Sequence, residues 1–282
     1  MRAKSEPLLT VIVAVFNGEK TIQQCIDSVI NQSYQHVELI IIDGGSSDGT
    51  VEILKKNTER ISYWISEPDK GVYNAWNKAL IYAKGEWVCF LGADDFLWGE
   101  QVFERISVQL TLIHSDICVA YTQIMLLTND GESLFPIGEP WEKIKKRFKQ
   151  IMCMPHQGVM HRRSSFIEYG VFDESFLIAG DYELLLRVIK DSDAVFIPDV
   201  ILTGMRHGGM SSDPKHSLLA LTEIRRAQYV NGLKMPGSIW FFAMLRVYIK
   251  ILIRYVLGER LTKIAFDFGR HLMNKPSLWT KL

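Results

Sequence analysis

Five aspartates fall in four short clusters along the chain: Asp43 in IIIDGGSSDGT, Asp69 in SEPDKGVYNAWNK, Asp94 and Asp95 in FLGADD, and Asp181 in AGDYELLLR. Each stands just past an apolar run or inside a helical pattern, so folding can gather them at one sheet edge. Separated carboxylates suit two different tasks. A diphosphate calls for a divalent cation held on oxygen ligands, and an incoming hydroxyl calls for a carboxylate to take its proton.

The elements that must position these acids follow from hydrophobic period. Residues 10–15 are β-branched and apolar and predict a first strand, after which Ile22, Cys25, Ile26 and Val29 share one helical face. Residues 39–42 predict a second strand that stops at Asp43-Gly44-Gly45, with Ser46, Ser47 or Asp48 capping the next helix. Residues 61–65 predict a third strand. From Val72 the residues Trp76, Ala79, Leu80 and Ala83 recur at helical spacing up to Gly85, and residues 87–91 predict a fourth strand. This alternation predicts a mostly parallel α/β sheet whose carboxyl rim, where open sheets bind ligands, carries Asp43, Asp94 and Asp95. Beyond residue 100 the rhythm changes. Residues 117–127 and 133–135 around Asn129-Asp130-Gly131 read as an antiparallel hairpin, residues 155–163 as irregular chain or a strand, and residues 181–190 as a helix with Asp181 in its first turn.

Composition bounds the possibilities. The chain has 282 residues, is 48% hydrophobic and 23% charged, and carries 32 basic against 32 acidic residues. It can bury a substantial core, and its charge balance argues against a nucleic-acid partner. The four cysteines, at positions 25, 89, 118 and 153, have no CxxC spacing and read as reduced residues in a core. The first apolar run is ended by Asn17-Gly18 and fits a strand better than a signal peptide.

Taken together, VIVAVFNGEKTIQQCIDSVINQ, IIIDGGSSDGT, FLGADD and GDYELLLR resemble, in that order, the motifs of inverting family 2 nucleotide-sugar glycosyltransferases. SEPDKGVYNAWNKAL, PHQGVMHRR and RHGGMSS resemble the branch that builds exopolysaccharides of the colanic-acid kind. The resemblance spans roughly residues 8–215 and implies the GT-A fold: a mostly parallel Rossmann-like sheet with an antiparallel acceptor-side part. It implies a catalytic domain over residues 1–230, with a donor half at 8–100 and an acceptor half at 101–230. It also implies a nucleotide-sugar donor, by default a UDP-sugar, a saccharide or lipid-linked saccharide acceptor, and a Mn or Mg cofactor. Asp181 is then the general base and Asp94 a metal ligand, with His207 as a second. Asp43 accepts from a base N–H flanked by the backbone of Val15 and Phe16; Asp69 and Asn77 line the ribose or sugar, Lys70 lies near the phosphates, and Asp95 contacts ribose or sugar. Ala14 stands where proline is common, and Gly92 stands where family members often carry the first acid of DADD.

Plainer readings compete. Asp43-Gly44-Gly45 and Asp94-Asp95 can be turns, Asp181 a helix-start carboxylate, Glu183 a partner for Arg187 one turn on, and Trp76 core. Two other activities also need weighing. A sugar-phosphate nucleotidyltransferase wants a glycine-rich basic loop, against which AVFNGEK offers one glycine and one lysine, and a non-catalytic scaffold would not need both Asp94 and Asp181. The segment 231–282 carries SIWFFAMLRVYIKILIRYVLG, in which Arg246, Lys250 and Arg254 recur every fourth residue among aromatic and aliphatic neighbours. Three cations disfavour a span, each costing about 2.5–3.5 kcal/mol at mid-bilayer. The pattern predicts an amphipathic C-terminal helical appendage lying on the cytoplasmic face of the inner membrane with its basic stripe in water, or else packed on the catalytic domain or a second subunit.

Overall fold

Near-continuous aliphatic runs make central strands because both faces must be covered. In the computed structural model, which describes residues 9–128, 130–206, 214–272 and 280, four such runs form parallel strands. These are β1 (Leu9–Val15), β2 (Val37–Asp43), β3 (Tyr63–Ser66) and β4 (Trp87–Gly92), in the spatial order β3-β2-β1-β4. Crossovers are made by α1 (Ile22–Ile30), α2 (Thr50–Lys56) and α3 (Val72–Leu80). Register fixes the rim. Val15 pairs with Asp43, and Ala14 pairs with both Ile42 and Gly92, so Asp43 and the turn after Gly92 flank the end of β1, each about one strand spacing of 4.8 Å away.

Alternation along the strands divides the core into two layers. Val11, Val13, Leu39 and Ile41 pack with Ile22, Ile26 and with Phe103, Ile106 and Leu110 of α4 (Val102–Leu112). Ile12, Ile40 and Ile42 pack on the other face with Tyr73 and Trp76, with Leu184, Leu185 and Val188 of α7 (Gly180–Ile189), and with Leu221 and Ile224 of α8 (Pro214–Val230).

The second half turns the sheet antiparallel. β8 (Val159–Arg162) pairs antiparallel with β4 and with β6 (Val119–Leu127), and β6 pairs antiparallel with β7 (Ser133–Ile137). The expected hairpin is therefore present, and the irregular stretch is a 3-10 turn at His156–Gly158 leading into β8. The twelve-residue β9 (Val195–Arg206) runs parallel to β6 and ends antiparallel to the two-residue β5 (Phe96–Leu97), pairing Gly204 with Phe96. A Cβ on Gly204 would stand 2.8 Å from the Phe96 ring, so glycine permits this close pass. The cap expected at Ser46, Ser47 or Asp48 is corrected to Gly49, although Asp48 Oδ1 accepts the Thr50 N–H at 3.0 Å. Short helices α5 (Trp141–Phe148) and α6 (Ser164–Glu168) complete this half.

The chain ends in α9 (Ser238–Leu272), interrupted at Gly258 with φ 72° and ψ 175°. Lys250 Nζ lies 5.5 Å from the Phe266 ring centroid, an approach that a straight helix rising about 1.5 Å per residue forbids, so the chain doubles back at Gly258. The expected wet basic stripe is corrected in part. Arg246 and Arg254 are exposed while Lys250 is half-buried, and Phe241, Phe242, Leu245, Tyr248, Leu252 and Tyr255 point outward. Among the described residues no helix is long and apolar enough to cross a membrane.

Candidate active site

At the end of β2 the Asp43 carboxylate is fully buried. Its Oδ2 accepts the N–H of Gly45 (3.2 Å) and of Ser46 (3.0 Å) and the hydroxyl of Ser66 (2.6 Å), while Oδ1 accepts the Ser46 hydroxyl. Ser46 Oγ in turn accepts the Asn17 N–H at 2.7 Å, and Asn17 Oδ1 accepts the Ser47 N–H at 2.9 Å. The carboxylate thus stitches the loop after β1 to the loop after β2. Asn17 adopts φ 52°, a left-handed conformation that asparagine tolerates. Between the two loops Phe16 is 66% exposed, while Val15 is buried and its carbonyl accepts the Gly44 N–H at 2.8 Å. Asp43 Oδ2 thus accepts three hydrogen bonds and Oδ1 one, and the side chain has no exposed surface.

Asp69 sits ahead of α3 against that same loop: a Cβ on Gly44 would lie 2.7 Å from Asp69 Oδ2. Its Oδ1 accepts the Gly71 N–H at 2.8 Å, and Lys70 beside it is exposed. The role expected for Asn77 is corrected. Its amide donates to the Phe172 carbonyl (3.0 Å) and to Glu174 Oε1 (2.9 Å) and accepts the Phe172 N–H (3.1 Å), so it fastens the loop before α7 and has no hydrogen left for a sugar.

The turn after β4 brings two carboxylates together. A Cβ on Gly92 would stand 2.7 Å from Asp94 Oδ1 and 2.9 Å from Asp95 Oδ2, so the space of the missing first acid is filled by oxygens of the other two. Asp95 is nearly fully buried and accepts N–H groups from Gly92 (3.2 Å) and Arg206 (3.3 Å). Burial first, and then the charge of Asp94, push its pKa up to about 8. Such a convergent pair of hard oxygens fits a divalent Mg or Mn ion, whose charge would relieve the repulsion. Turned inward, Asp95 offers a ribose almost no surface, and its expected sugar contact is corrected to a place beside Asp94. Arg206 holds the turn: its guanidinium donates to the Asp94 carbonyl and to Gln24 Oε1 (2.7 Å). His207 lies outside the described residues, among which no group of three or more His, Cys, Asp or Glu could hold a metal.

Asp181 occupies the first turn of α7, where the helix dipole favours negative charge. Its Oδ1 accepts the Tyr182 N–H at 2.8 Å and stands 3.4 Å from the Tyr73 hydroxyl of α3. That hydroxyl donates to the Ile178 carbonyl (2.7 Å) and accepts the Gly180 N–H (2.8 Å). Burial and then the Asp181 charge hold Tyr73 well above the usual phenol range, so it remains neutral. From α8 the buried Glu223 accepts the N–H groups of Leu177 (2.9 Å), Ile178 (2.8 Å) and Ala179 (2.9 Å). Three consecutive amides on one carboxylate form an anion cradle in reverse: the side chain organises the loop. Glu183 pairs with Arg187 at 2.8 Å and Trp76 is core, as the plainer readings have it.

One wall links the two stations. Asp69, just ahead of α3, stands against the Asp43 loop, and Tyr73 in the first turn of α3 stands against Asp181. His156 lies between Trp76 of α3 and Phe90 of β4, with ring centroids 5.2 and 5.6 Å away, and Asp181's charge acts on it. Sequence reasoning missed Arg206, Tyr73 and Glu223. The first opens the RHGGMSS string, and Glu223 is a charge among the buried positions 221, 224 and 227 of one helix face.

The chain is similar to known proteins in sequence and in fold. A PGL/p-HBAD biosynthesis glycosyltransferase of Mycobacterium bovis is 26% identical over 217 residues, 73% of this chain and 80% of its own. The hyaluronan synthase of Pasteurella multocida is 27% identical over 213 residues, of which this chain spans only 21% of the enzyme's length. Among solved structures, the mannosyltransferase PcManGT of Pyrobaculum calidifontis, in complex with GDP-Man and Mn2+, superposes with a TM-score of 0.64 at 14% identity, covering 95% of this chain and 81% of that one. S. aureus TarS 1-349 in complex with UDP-GlcNAc gives 0.62 at 17% identity over 85% and 71%, and another structure of that fragment is spanned to 64%. These likenesses show a GT-A-like fold. Residues 10–170 match the family described as glycosyl transferase family 2, and to that family the chain belongs.

Proposed function

We propose that this glycosyltransferase moves a sugar from a nucleoside-diphosphate donor to a saccharide hydroxyl with inversion at the anomeric carbon. One observation carries the reading: a converging Asp94–Asp95 pair at one station and a separately held carboxylate, Asp181, at the other. Asp94 and Asp95 would hold Mn or Mg, which when bound neutralises charge on the leaving diphosphate. Arg206 keeps their turn in place. Asp181 accepts the proton of the acceptor hydroxyl as it attacks from the face opposite the departing phosphate, an effect worth about 100- to 10,000-fold in rate. Tyr73 and the Glu223-bound loop fix its position. On the donor side, exposed Phe16 offers a surface for the base, Asp43 its Oδ1 for a base N–H, Asp69 a carboxylate toward ribose or sugar, and exposed Lys70 a charge for the phosphates.

A UDP-sugar is the default donor, supported by the TarS complex with UDP-GlcNAc, while the GDP-Man and Mn2+ complex of PcManGT supports a divalent cation. We assign the acceptor as lipid-linked and the enzyme to the cytoplasmic face of the inner membrane, in polysaccharide biosynthesis. The outward apolar side chains of α9 support that placement, because contiguous exposed apolar surface marks membrane or partner contact. The test is Asp181→Asn, assayed by nucleotide release with Mn and by donor titration. Turnover should vanish with donor affinity retained; a variant that transfers at wild-type rate removes Asp181 from the mechanism.

A further inference from the structure

Two buried histidines meet behind the wall that joins α3 to Asp181. His156, in its 3-10 turn, and His161, in β8, approach Nε2 to Nε2 at 3.1 Å. Burial lowers both below the ordinary range, so at neutral pH the pair is uncharged and one proton lies between the two nitrogens. The second proton sits on the far nitrogen of one ring or the other. On His161 Nδ1, which among the described residues is sealed in the core with no partner, it would make an orphaned donor. On His156 it is drawn by the negative charge of Asp181, which acts on that ring, whereas the only neighbouring charge acting on His161 is His156 itself. His161 therefore donates from Nε2 to His156 Nε2, and His156 carries its own hydrogen on Nδ1. That N–H bonds no described residue, although the ring is only 5% exposed. An unbonded donor in so enclosed a place points to a ligand. The surroundings name the side it faces: Trp76 packs on His156 with ring centroids 5.2 Å apart and on Tyr73 at 5.5 Å, and the Tyr73 hydroxyl stands 3.4 Å from Asp181 Oδ1.

We propose that His156 donates its Nδ1 hydrogen to the acceptor saccharide, at the hydroxyl next to the one whose proton Asp181 takes. Neighbouring hydroxyls of a sugar ring lie within hydrogen-bond range of each other, so one N–H donor and one carboxylate on the same wall hold both. His161, in the apolar layer behind, fixes the ring that presents the donor. That the ligand is an acceptor saccharide rests on the transfer reaction proposed above; the place of the proton does not.

Two substitutions separate this contact from a packing role. Glutamine at 156 can accept from His161 Nε2 but has no N–H where Nδ1 stood, while asparagine keeps an N–H there and leaves the His161 N–H unbonded. A residue that only packs makes His156→Asn worse than His156→Gln in every assay. The contact makes His156→Asn the less stable by Tm, yet it is His156→Gln whose acceptor KM rises about 3- to 10-fold, with donor KM within about twofold. His156→Asn should keep acceptor KM within about twofold of wild type. The probes are p-nitrophenyl β-glucoside, β-galactoside and α-mannoside, read by nucleotide release from UDP-glucose and UDP-GlcNAc. Removing the neighbouring hydroxyl from the acceptor that works should cost wild type the same factor and His156→Gln little more. Independently of turnover, long-range 1H–15N spectra of the full chain, assigned with His156→Gln and His161→Gln, should show His156 protonated on Nδ1 and His161 on Nε2. Reversed tautomers, or a His156→Gln chain with wild-type acceptor KM, would overturn the proposal. If His156→Asn does not fold, the tautomers and the glutamine variant decide. A wild-type chain with the stated tautomers that consumes no UDP-sugar would instead refute the transfer reading, and the acceptor contact with it.

Discussion

Replacing Glu223 with glutamine keeps the number of heavy atoms in the core, yet it removes one of the two oxygens that accept three N–H groups. In the native chain Oε1 takes the Leu177 N–H and Oε2 takes those of Ile178 and Ala179. A glutamine carbonyl oriented toward Ile178 and Ala179 leaves its NH2 facing the Leu177 N–H, donor against donor. One charge-assisted bond is lost and one amide is orphaned, for about 2 kcal/mol of destabilisation. In a chain of this size that corresponds to a fall in Tm of about 3–4 °C. Function should suffer further, because the loop ends at Gly180 and presents Asp181. A displacement of about 1 Å in a proton-accepting group costs on the order of 100-fold. Steady-state nucleotide release by Glu223→Gln should therefore show kcat reduced about 10- to 100-fold with donor KM unchanged, since Glu223 holds residues 177–179 and not the loops after β1 and β2. A variant with wild-type kcat and Tm would refute the claim that this carboxylate organises the base.

Other outcomes follow from the same geometry. Arg206→Ala should raise the half-saturating Mn concentration about 10- to 100-fold without abolishing turnover at high Mn, because the guanidinium only supports the turn that carries Asp94; an unchanged Mn titration would oppose that role. Asn77→Ala should cost about 1–2 kcal/mol of stability and leave donor KM alone, and a several-fold rise in KM would restore a direct donor contact. His156 and His161 share an Nε2 to Nε2 contact of 3.1 Å in a buried setting that lowers both below the ordinary 6.5. The unfolded chain takes up protons near that pH while the folded one does not, so stability is full above it and falls as pH drops through it. His161→Gln should ease that fall by about 1.4 kcal/mol per pH unit between about pH 6 and 5, read from urea midpoints; an unaltered slope would show that the pair stays charged or exposed.

Much of this layout was written in local patterns. The aliphatic runs before Asp43 and Asp94 fix two parallel strands and their rim, and the helical period after Gly180 places Asp181 in a first turn. What local pattern could not give was partnership across the chain. Asn77 was assigned to the donor through its motif, but its three hydrogen bonds go to Phe172 and Glu174, far away in sequence. Asp95 was assigned to the ribose or sugar, and only the return of β9 reveals that the Arg206 N–H caps it from inside, beside Asp94. β9 itself was hidden by Pro198-Asp199, a pair that reads as a breaker; the strand continues because Asp199 takes φ 60° and its carbonyl accepts from Arg105, with register shifts against β6. The direction in which α9 turns its cations depends on Gly258, whose effect appears only once the chain has doubled back.

The matched family segment closes at residue 170, before Asp181 and well before Glu223. A polypeptide trimmed to that segment would retain the parallel strands and the acidic turn while discarding Asp181, the base of the proposed reaction, and the carboxylate that steadies its loop. On the proposed mechanism helix α8 is then as integral to turnover as the sheet, and a truncation that keeps activity is expected to run at least through Val230.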